Sequence, residues 1–467
     1  MQTLKKTMGW GPPEKWIDLP VEELFSLTSD EIDSLQLKWF LERFKTLESK
    51  ISAVKALVEK QDVKNIEEIN DIAPLLFTHK VYKSYPLSLI EKKNFKQLTG
   101  WLDKLTSHDL SGIDVSDVKT IDSWLDRMDS DVMYLCHSTG TTGKLSFFPR
   151  SQTEKRSFLT GMYNAIKASS GKDVTKEQMP VFFPGYRGGY QVSHKVLHHV
   201  GMEIGFNGEE FHTLFDKPMS ADFMSLAGRL KAAQASGSLK KMDMIKALVK
   251  SKGELIKLKK QQPVMMEAYM NKLVSEYRGR KVLIMATTPD LLKTAESGLK
   301  EGISKIFSNE SILITGGGLK GYNAPEDWPS VLKEFYGVDE FYKLYGMTEC
   351  TAILPMCKNG HYHFYPYVIP FVLDVKTGET LPRKGTQTGR YGFYDLLAET
   401  YWGGLLTGDK VTIHYDDCGC GWKGAWLEDN IVRYSELQED NEDKISCSGS
   451  QDAYNEFLDF IVEDAAK

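Results

Sequence analysis

Cys136–Arg150 reads CHSTGTTGKLSFFPR, with Ser138, Thr139, Gly140, Thr141, Thr142, Gly143 and Lys144 in seven consecutive positions. The residues before them, Asp131–Leu135 (DVMYL), have the pattern of a short strand, and Ser146–Phe148 after them are apolar and β-prone. The pattern predicts a polar, glycine-bearing turn slung between two strands. Such a turn points backbone N–H groups and hydroxyls at one spot, leaves no Cβ where an anion approaches, and adds the Lys144 cation. Those are the requirements of a polyphosphate. The stretch is not a G-x-x-x-x-G-K-[ST] loop, because Gly140 and Gly143 lie too close together. Alone it is equally an ordinary hairpin turn; three later stretches weigh against that.

On the N-terminal side, residues 1–130 have a mostly helical pattern. Ser29-Asp30-Glu31 resembles a helix start, with Ile32, Leu35, Trp39, Phe40 and Phe44 following at helical spacing. On the C-terminal side, short apolar runs alternate with amphipathic segments. Strands are expected at Pro180–Pro184, Val282–Ala286 and Ile312–Thr315. Helices are expected at Met219–Lys260, Asp290–Ser304 and Asp327–Tyr336. This alternation predicts an α/β core with a largely parallel sheet over 131–365. Residues 366–425 become β-rich, and 426–467 form a short acidic tail.

Three of the later stretches carry chemistry. ILITGGGLKG (Ile312–Gly321) runs a buried strand into Gly316, Gly317 and Gly318, where a flat ligand can lie against backbone at the carboxyl end of a strand. FYKLYGMTE (Phe341–Glu349) offers an aromatic ring in Tyr345, a hydroxyl in Thr348 and a carboxylate in Glu349, suited to a base, a phosphate oxygen and Mg²⁺. GLLTGD (Gly404–Asp409) places Asp409 after a tight turn, where it can accept from two ribose hydroxyls. Each, taken singly, is also an ordinary loop.

STGTTGK, TGGGLKG, YGMTE and TGD, in this order, resemble the adenylate-forming (acyl-AMP) ligase superfamily. The STGTTGK form and the YHFYP and CGCG segments are more similar to phenylacetate–CoA ligases and acyl-protein synthetases. The resemblance implies an adenylate-forming fold: a helical N-terminal region, an α/β core, a β-rich subdomain and a truncated C-terminal lid. It implies that Ser138–Lys144 cradle the β- and γ-phosphates of ATP and that Gly316–Gly318 line the adenine and acyl pocket. Tyr345 would then pack on adenine, Thr348 touch the α-phosphate, Glu349 bind Mg²⁺ and Asp409 hold the ribose. Arg433 falls near the expected hinge arginine, in a poorly matching context. The implied reaction is activation of a carboxylic acid to acyl-AMP with loss of pyrophosphate, followed by transfer to a thiol or amine: CoA, a carrier protein, an enzyme cysteine or a small amine. A complete acyl-CoA ligase, a non-catalytic nucleotide-binding module and a partner-dependent subunit are the alternatives.

Members of that superfamily end in a mobile domain whose lysine reaches the α-phosphate. Here only a short segment follows Asp409, with Lys410 and Lys444 as weak stand-ins. Acyl-protein synthetases carry the acyl group on a cysteine, which singles out Cys447; a free tail thiol is the other reading.

Cys357-Lys-Asn-Gly-His361-Tyr-His363 precedes Cys418-Gly-Cys420. Two cysteines on a tight turn plus a Cys/His pair can complete a tetrahedral Zn²⁺ site. His363 is the preferred fourth ligand and His361 the alternative; free thiols beside a surface histidine are the other reading. Phe182–Tyr190 is expected to wall the acyl pocket, with Arg187 offered to a second polar group of the substrate.

The chain of 467 residues carries 58 Lys+Arg against 64 Asp+Glu, a net charge of −6. That argues against bulk binding to nucleic acid. Its six cysteines are too sparse for a disulfide framework, which points to a reduced, cytoplasmic setting. No membrane span and no secretory leader are expected, since the opening MQTLKKTMGWGPPEKW has no apolar core.

Overall fold

The Ser29–Lys50 helix starts at Thr28, whose side chain accepts from the Glu31 N–H while Glu31 reaches back to the Thr28 N–H. This reciprocal cap satisfies two donors that the first turn would otherwise leave orphaned. The computed structural model describes residues 10–63, 65–130, 133–138, 140, 143–235, 261, 263–319, 322–434 and 437. Thr139, Thr141, Thr142, Lys444 and Cys447 lie outside the described residues.

The chain divides into two compact units that interleave along the sequence: residues 1–136, 146–169 and 345–467 make one, and 137–145 with 170–344 make the other. The sequence reading set out four consecutive segments instead.

In the first unit, the Ser29–Lys50 helix buries Ile32, Leu35, Phe40 and Leu47. It is tied to a mostly antiparallel sheet by Gln36, whose amide donates to the carbonyls of Pro366 and Val368 at 3.1 and 2.9 Å. The sheet runs in the spatial order Tyr362–His363, Trp426–Leu427, Gly404–His414, Thr386–Asp395, Val368–Leu373. Phe77–Thr78 and Val432–Arg433 also pair with Gly404–His414. Val368–Leu373 is buried at every position, as expected of a strand covered on both faces. Trp402 is enclosed, with Phe40 and Tyr394 edge-on to it and its indole donating to the Leu75 carbonyl at 2.7 Å. Met133–His137 pairs with Phe147–Ser151, so strands do flank the opening Ser/Thr/Gly stretch.

In the second unit, Phe211–Phe215, Val181–Tyr186, Leu283–Thr287, Ile312–Gly316 and the Tyr342–Tyr345 strand, as far as Leu344, lie side by side in that order. The pairings among them are parallel. Helices Val192–Ile204, Ala221–Ala235, Thr288–Lys300 and Trp328–Tyr336 connect or follow the strands. Thr287 caps the Thr288–Lys300 helix by accepting from the Asp290 N–H, with proline in the first turn. Gly337, at φ 80°, ends the Trp328–Tyr336 helix in the left-handed region. Phe182, Ile284, Leu291, Leu292, Leu313, Leu332 and Phe335 share one core between these helices and the sheet. The mixed α/β class expected from the sequence is the one observed.

Two sequence expectations fail. Gly404–Asp409 is not a turn: it opens an 11-residue strand, Gly404–His414. Arg187 is not available to a substrate. Its guanidinium donates to the Phe211 and Gly208 carbonyls at 2.6 and 2.7 Å and faces Asp216 at 3.6 Å, so its donors serve the fold.

Among the described residues, no helix is long and apolar enough to cross a membrane.

Candidate functional site

In the second unit, the Ser/Thr/Gly stretch closes on itself through the Gly143 N–H, which donates to the Gly140 carbonyl at 2.9 Å. Gly140 and Gly143 have φ of 64° and 92°, where a Cβ is disfavoured. The turn lies directly against the Ala221–Ala235 helix. A Cβ on Gly228 of that helix would sit 2.3 Å from the Gly140 carbonyl oxygen, and one on Gly143 would sit 3.4 Å from Ala232. Lys144 is half-buried, and desolvation holds its ammonium below the ordinary lysine range. In the same unit, Gly316 ends its strand against the Leu344 carbonyl, which a Cβ there would approach to 2.7 Å. Gly317 and Gly318 follow, both exposed and both at positive φ.

In the first unit, three residues singled out in the sequence meet. The Tyr345 hydroxyl donates to Asp409 Oδ2 at 3.1 Å. Arg433 Nε lies 3.4 Å from Asp409 Oδ1, its strand being paired so that Asp409 and Arg433 are direct neighbours. Burial, then the Asp409 charge, pushes the Tyr345 hydroxyl well above its usual range, so it stays a neutral donor. Burial also pushes the Glu349 carboxyl up, with Asp409 adding to the effect and Arg433 and Lys83 opposing it. A divalent cation beside Glu349 would favour its ionised form. Thr348 and Glu349 are both half-buried.

The first unit also gathers a second constellation. One ligand atom each from Cys357, His363, Cys418 and Cys420 lies within 4.8 Å of the others. Cys357 Sγ and Cys418 Sγ are 3.8 Å apart, and Cys420 Sγ is 3.4 Å from His363 Nε2. With Zn–S near 2.3 Å and Zn–N near 2.0–2.1 Å, a tetrahedron has S···S edges of about 3.8 Å and S···N edges of about 3.5 Å. The donor set suits Zn²⁺, and these two edges match its spacing. The turn between the two cysteines is tight: Gly419 and Gly421 take positive φ, and the Trp422 N–H donates to Cys420 Sγ at 3.3 Å. His361 stands just outside, with Nδ1 3.2 Å from Cys418 Sγ and its ring stacked on Trp426 at 4.0 Å. Burial pushes His363 down to about 4 and, with Cys357 close by, Cys418 up to about 12.

Sequence reasoning missed the groups behind the YGMTE stretch. Arg150, Asp395 and Tyr401 are all buried, and all reach backbone or side-chain atoms of residues 348–351. The only local signal was a charge inside an apolar run, in FFPR and FYDLL.

No protein-family model matches the chain, and no curated protein matches it. Solved structures do. An open conformation of 2-hydroxyisobutyryl-CoA ligase in complex with 2-HIB-AMP and CoA superposes with a TM-score of 0.51 at 11% identity, over 87% of this chain and 76% of that one. The same ligase in the postadenylation state with R3-HIB-AMP gives 0.51 at 12% identity, over 87% and 69%. At such identity the likeness is one of fold.

Proposed function

From a chain with the fold of the adenylate-forming enzymes, we propose an enzyme that activates a carboxylic acid with ATP. Its first step forms an acyl-AMP. A carboxylate oxygen of the acid bonds to the α-phosphorus of ATP, the bond from that phosphorus to the bridging oxygen breaks, and pyrophosphate leaves with the electron pair. The chain's part is to position the reactants and neutralise charge. The backbone of 138–144 and Lys144 bind the β- and γ-phosphates. Gly316–Gly318 leave room for the adenine, Tyr345 packs against it, and Asp409 accepts from the ribose hydroxyls. Thr348 donates to the α-phosphate and Glu349 holds Mg²⁺, which when bound neutralises phosphate charge. Arg433, opposite Asp409, is the hinge residue of this reading.

In the second step a thiol sulfur, or an amine, attacks the acyl carbon, the bond from that carbon to the AMP oxygen breaks, and AMP leaves. CoA is the favoured acceptor, because the solved 2-hydroxyisobutyryl-CoA ligase, which shares this fold, was captured with 2-HIB-AMP and CoA. A phenylacetate–CoA-ligase-like or acyl-protein-synthetase-like kinship rests on the STGTTGK, YHFYP and CGCG segments. The second constellation is read as a structural Zn²⁺ site, since four protein ligands leave no open position for substrate.

One observation carries the reading: a 3.1 Å hydrogen bond joins Tyr345 and Asp409, 64 residues apart in the two stretches assigned to the nucleoside. Hydroxamate formation from ATP, Mg²⁺, hydroxylamine and a panel of acids tests it. At least one acid should give ATP-dependent hydroxamate; if none does, with the protein folded and nucleotide bound, the chain is a binding module.

A further inference from the structure

Residues 348–351 are gripped from behind by three buried side chains to which the proposed chemistry gives no task. Arg150 is fully enclosed. Its guanidinium donates to the Thr348 carbonyl at 2.5 Å and to Cys136 Sγ at 3.0 Å. Phe158 and Tyr401 lie 5.0 and 5.4 Å from its central carbon. Asp395, also fully buried, accepts from the Thr351 N–H at 2.6 Å and the Leu397 N–H at 2.9 Å. The Tyr401 hydroxyl lies 3.4 Å from the Glu349 carbonyl and 3.2 Å from Thr351 Oγ1.

A guanidinium is costly to bury, and apolar side chains of similar volume often fill such a space with no loss of stability. Stability alone therefore explains little of why a charge stands at position 150. What arginine supplies and an apolar residue lacks is a rigid planar fork with donors in fixed directions. Here the fork fixes the Thr348 carbonyl, Tyr401 contacts the next carbonyl, and Asp395 fixes the N–H two residues on. The backbone is thereby held on its buried side, while the side chains of Thr348 and Glu349 remain half-exposed.

We propose that Arg150 is a positioning residue, which with Tyr401 and Asp395 sets the backbone of residues 348–351 so that Thr348 and Glu349 are presented to the triphosphate and its metal. This rests on the roles given above to those two side chains. A loose support under a reacting constellation costs rate rather than fold.

The test compares wild type with Arg150→Lys, Arg150→Met and Tyr401→Phe. It measures acid-dependent ATP–pyrophosphate exchange against ATP, Mg²⁺ and acid concentration, together with amide hydrogen exchange. Lysine keeps the charge but loses the fork, so kcat should fall about tenfold, and about a hundredfold with methionine, while KM for the acid stays within about twofold. The Mg²⁺ concentration for half-maximal rate should rise in the same order. Amide exchange should quicken at residues 347–351 and stay unchanged in the Phe211–Phe215 strand. Tyr401→Phe keeps its ring beside the guanidinium and should lose a few-fold in kcat, which keeps the test decisive if both Arg150 variants fail to fold. Folded variants with wild-type kcat and Mg²⁺ dependence would overturn the proposal, as would a loss confined to KM for the acid. If wild type itself exchanges with no acid, it is the adenylation reading that has failed. The amide-exchange arm then decides on positioning: faster exchange at 347–351 supports it, and unchanged exchange refutes it.

Discussion

Replacing Gly228 by alanine should impair ATP use while leaving the fold in place. The Cβ it adds would lie 2.3 Å from the Gly140 carbonyl oxygen and 3.4 Å from Gly143 Cα. Against the 3.0 Å below which such contacts essentially do not occur, the shortfall is about 0.7 Å. Either the helix or the turn must yield. Alanine in a helix interior is favoured over glycine by roughly 0.5–1 kcal/mol, so the Ala221–Ala235 helix is the stiffer partner and the Gly140–Gly143 turn moves. A displacement approaching 1 Å in groups that position a reactant costs on the order of a hundredfold in rate, or about 2.7 kcal/mol of barrier. The assay is acid-dependent ATP–pyrophosphate exchange over a range of ATP concentrations, paired with a thermal melt. We expect kcat/KM for ATP to fall about a hundredfold, with the melting temperature within a few degrees of wild type. Gly161→Ala is the control, because a Cβ there meets Ile17 at an ordinary 3.5 Å. Wild-type kcat/KM for ATP in Gly228→Ala would refute the reasoning, as would a loss fully matched by collapse of the melt.

Purified protein should carry about one zinc per chain. Chelation or Cys420→Ser should lower the melting temperature by several degrees, whereas a metal-free protein with an unchanged melt would exclude the site. Glu349→Ala should keep the wild-type melt yet lose about a hundredfold or more in exchange at fixed Mg²⁺; equal activity would count against its metal role. Burial, with His137 adding to it, pushes His194 down to about 4, so the folded protein holds this imidazole neutral while the unfolded chain protonates it near 6.5. Below that pH the unfolded state binds the extra proton, so stability is intact above about 6.5 and falls as pH drops toward 4, by at most about 3 kcal/mol from this group. Urea melts at pH 7.5 and 5 should show a smaller difference for His194→Asn than for wild type; an equal difference would assign the pH dependence elsewhere.

What could be read from sequence were features with a local period or a local turn chemistry. The strands around Val181–Tyr186, Leu283–Thr287 and Ile312–Gly316 show in the sequence as short apolar runs, and the Thr288–Lys300 helix as the amphipathic segment expected over Asp290–Ser304. The tight turn expected before Asp409 is absent, because the glycines of Gly404–His414 and of the residue before it mark no turn. Neither Gly403 nor Gly404 has positive φ; a Cβ would instead strike the Asp395 carbonyl at 2.4 Å and Trp402 at 2.8 Å. These glycines answer to close packing, which leaves no local trace. The Cys/His constellation was legible because each half of it, Cys357 with His363 and Cys418 with Cys420, has a local ligand spacing, and the structure groups His363 rather than His361 with the three cysteines. Arg150 could not be found in this way. Its acceptor on Thr348 is 198 residues distant, and a buried polar pair at such separation has no pattern in the sequence.

The central claim is that this chain joins a carboxylic acid to AMP, and acid-dependent exchange of labelled pyrophosphate into ATP tests it most directly. The account predicts label in ATP only when Mg²⁺ and a suitable acid are both present, and its loss in Glu349→Ala. Exchange that ignores the acid, or no exchange with any acid by a folded protein that binds ATP, would contradict it.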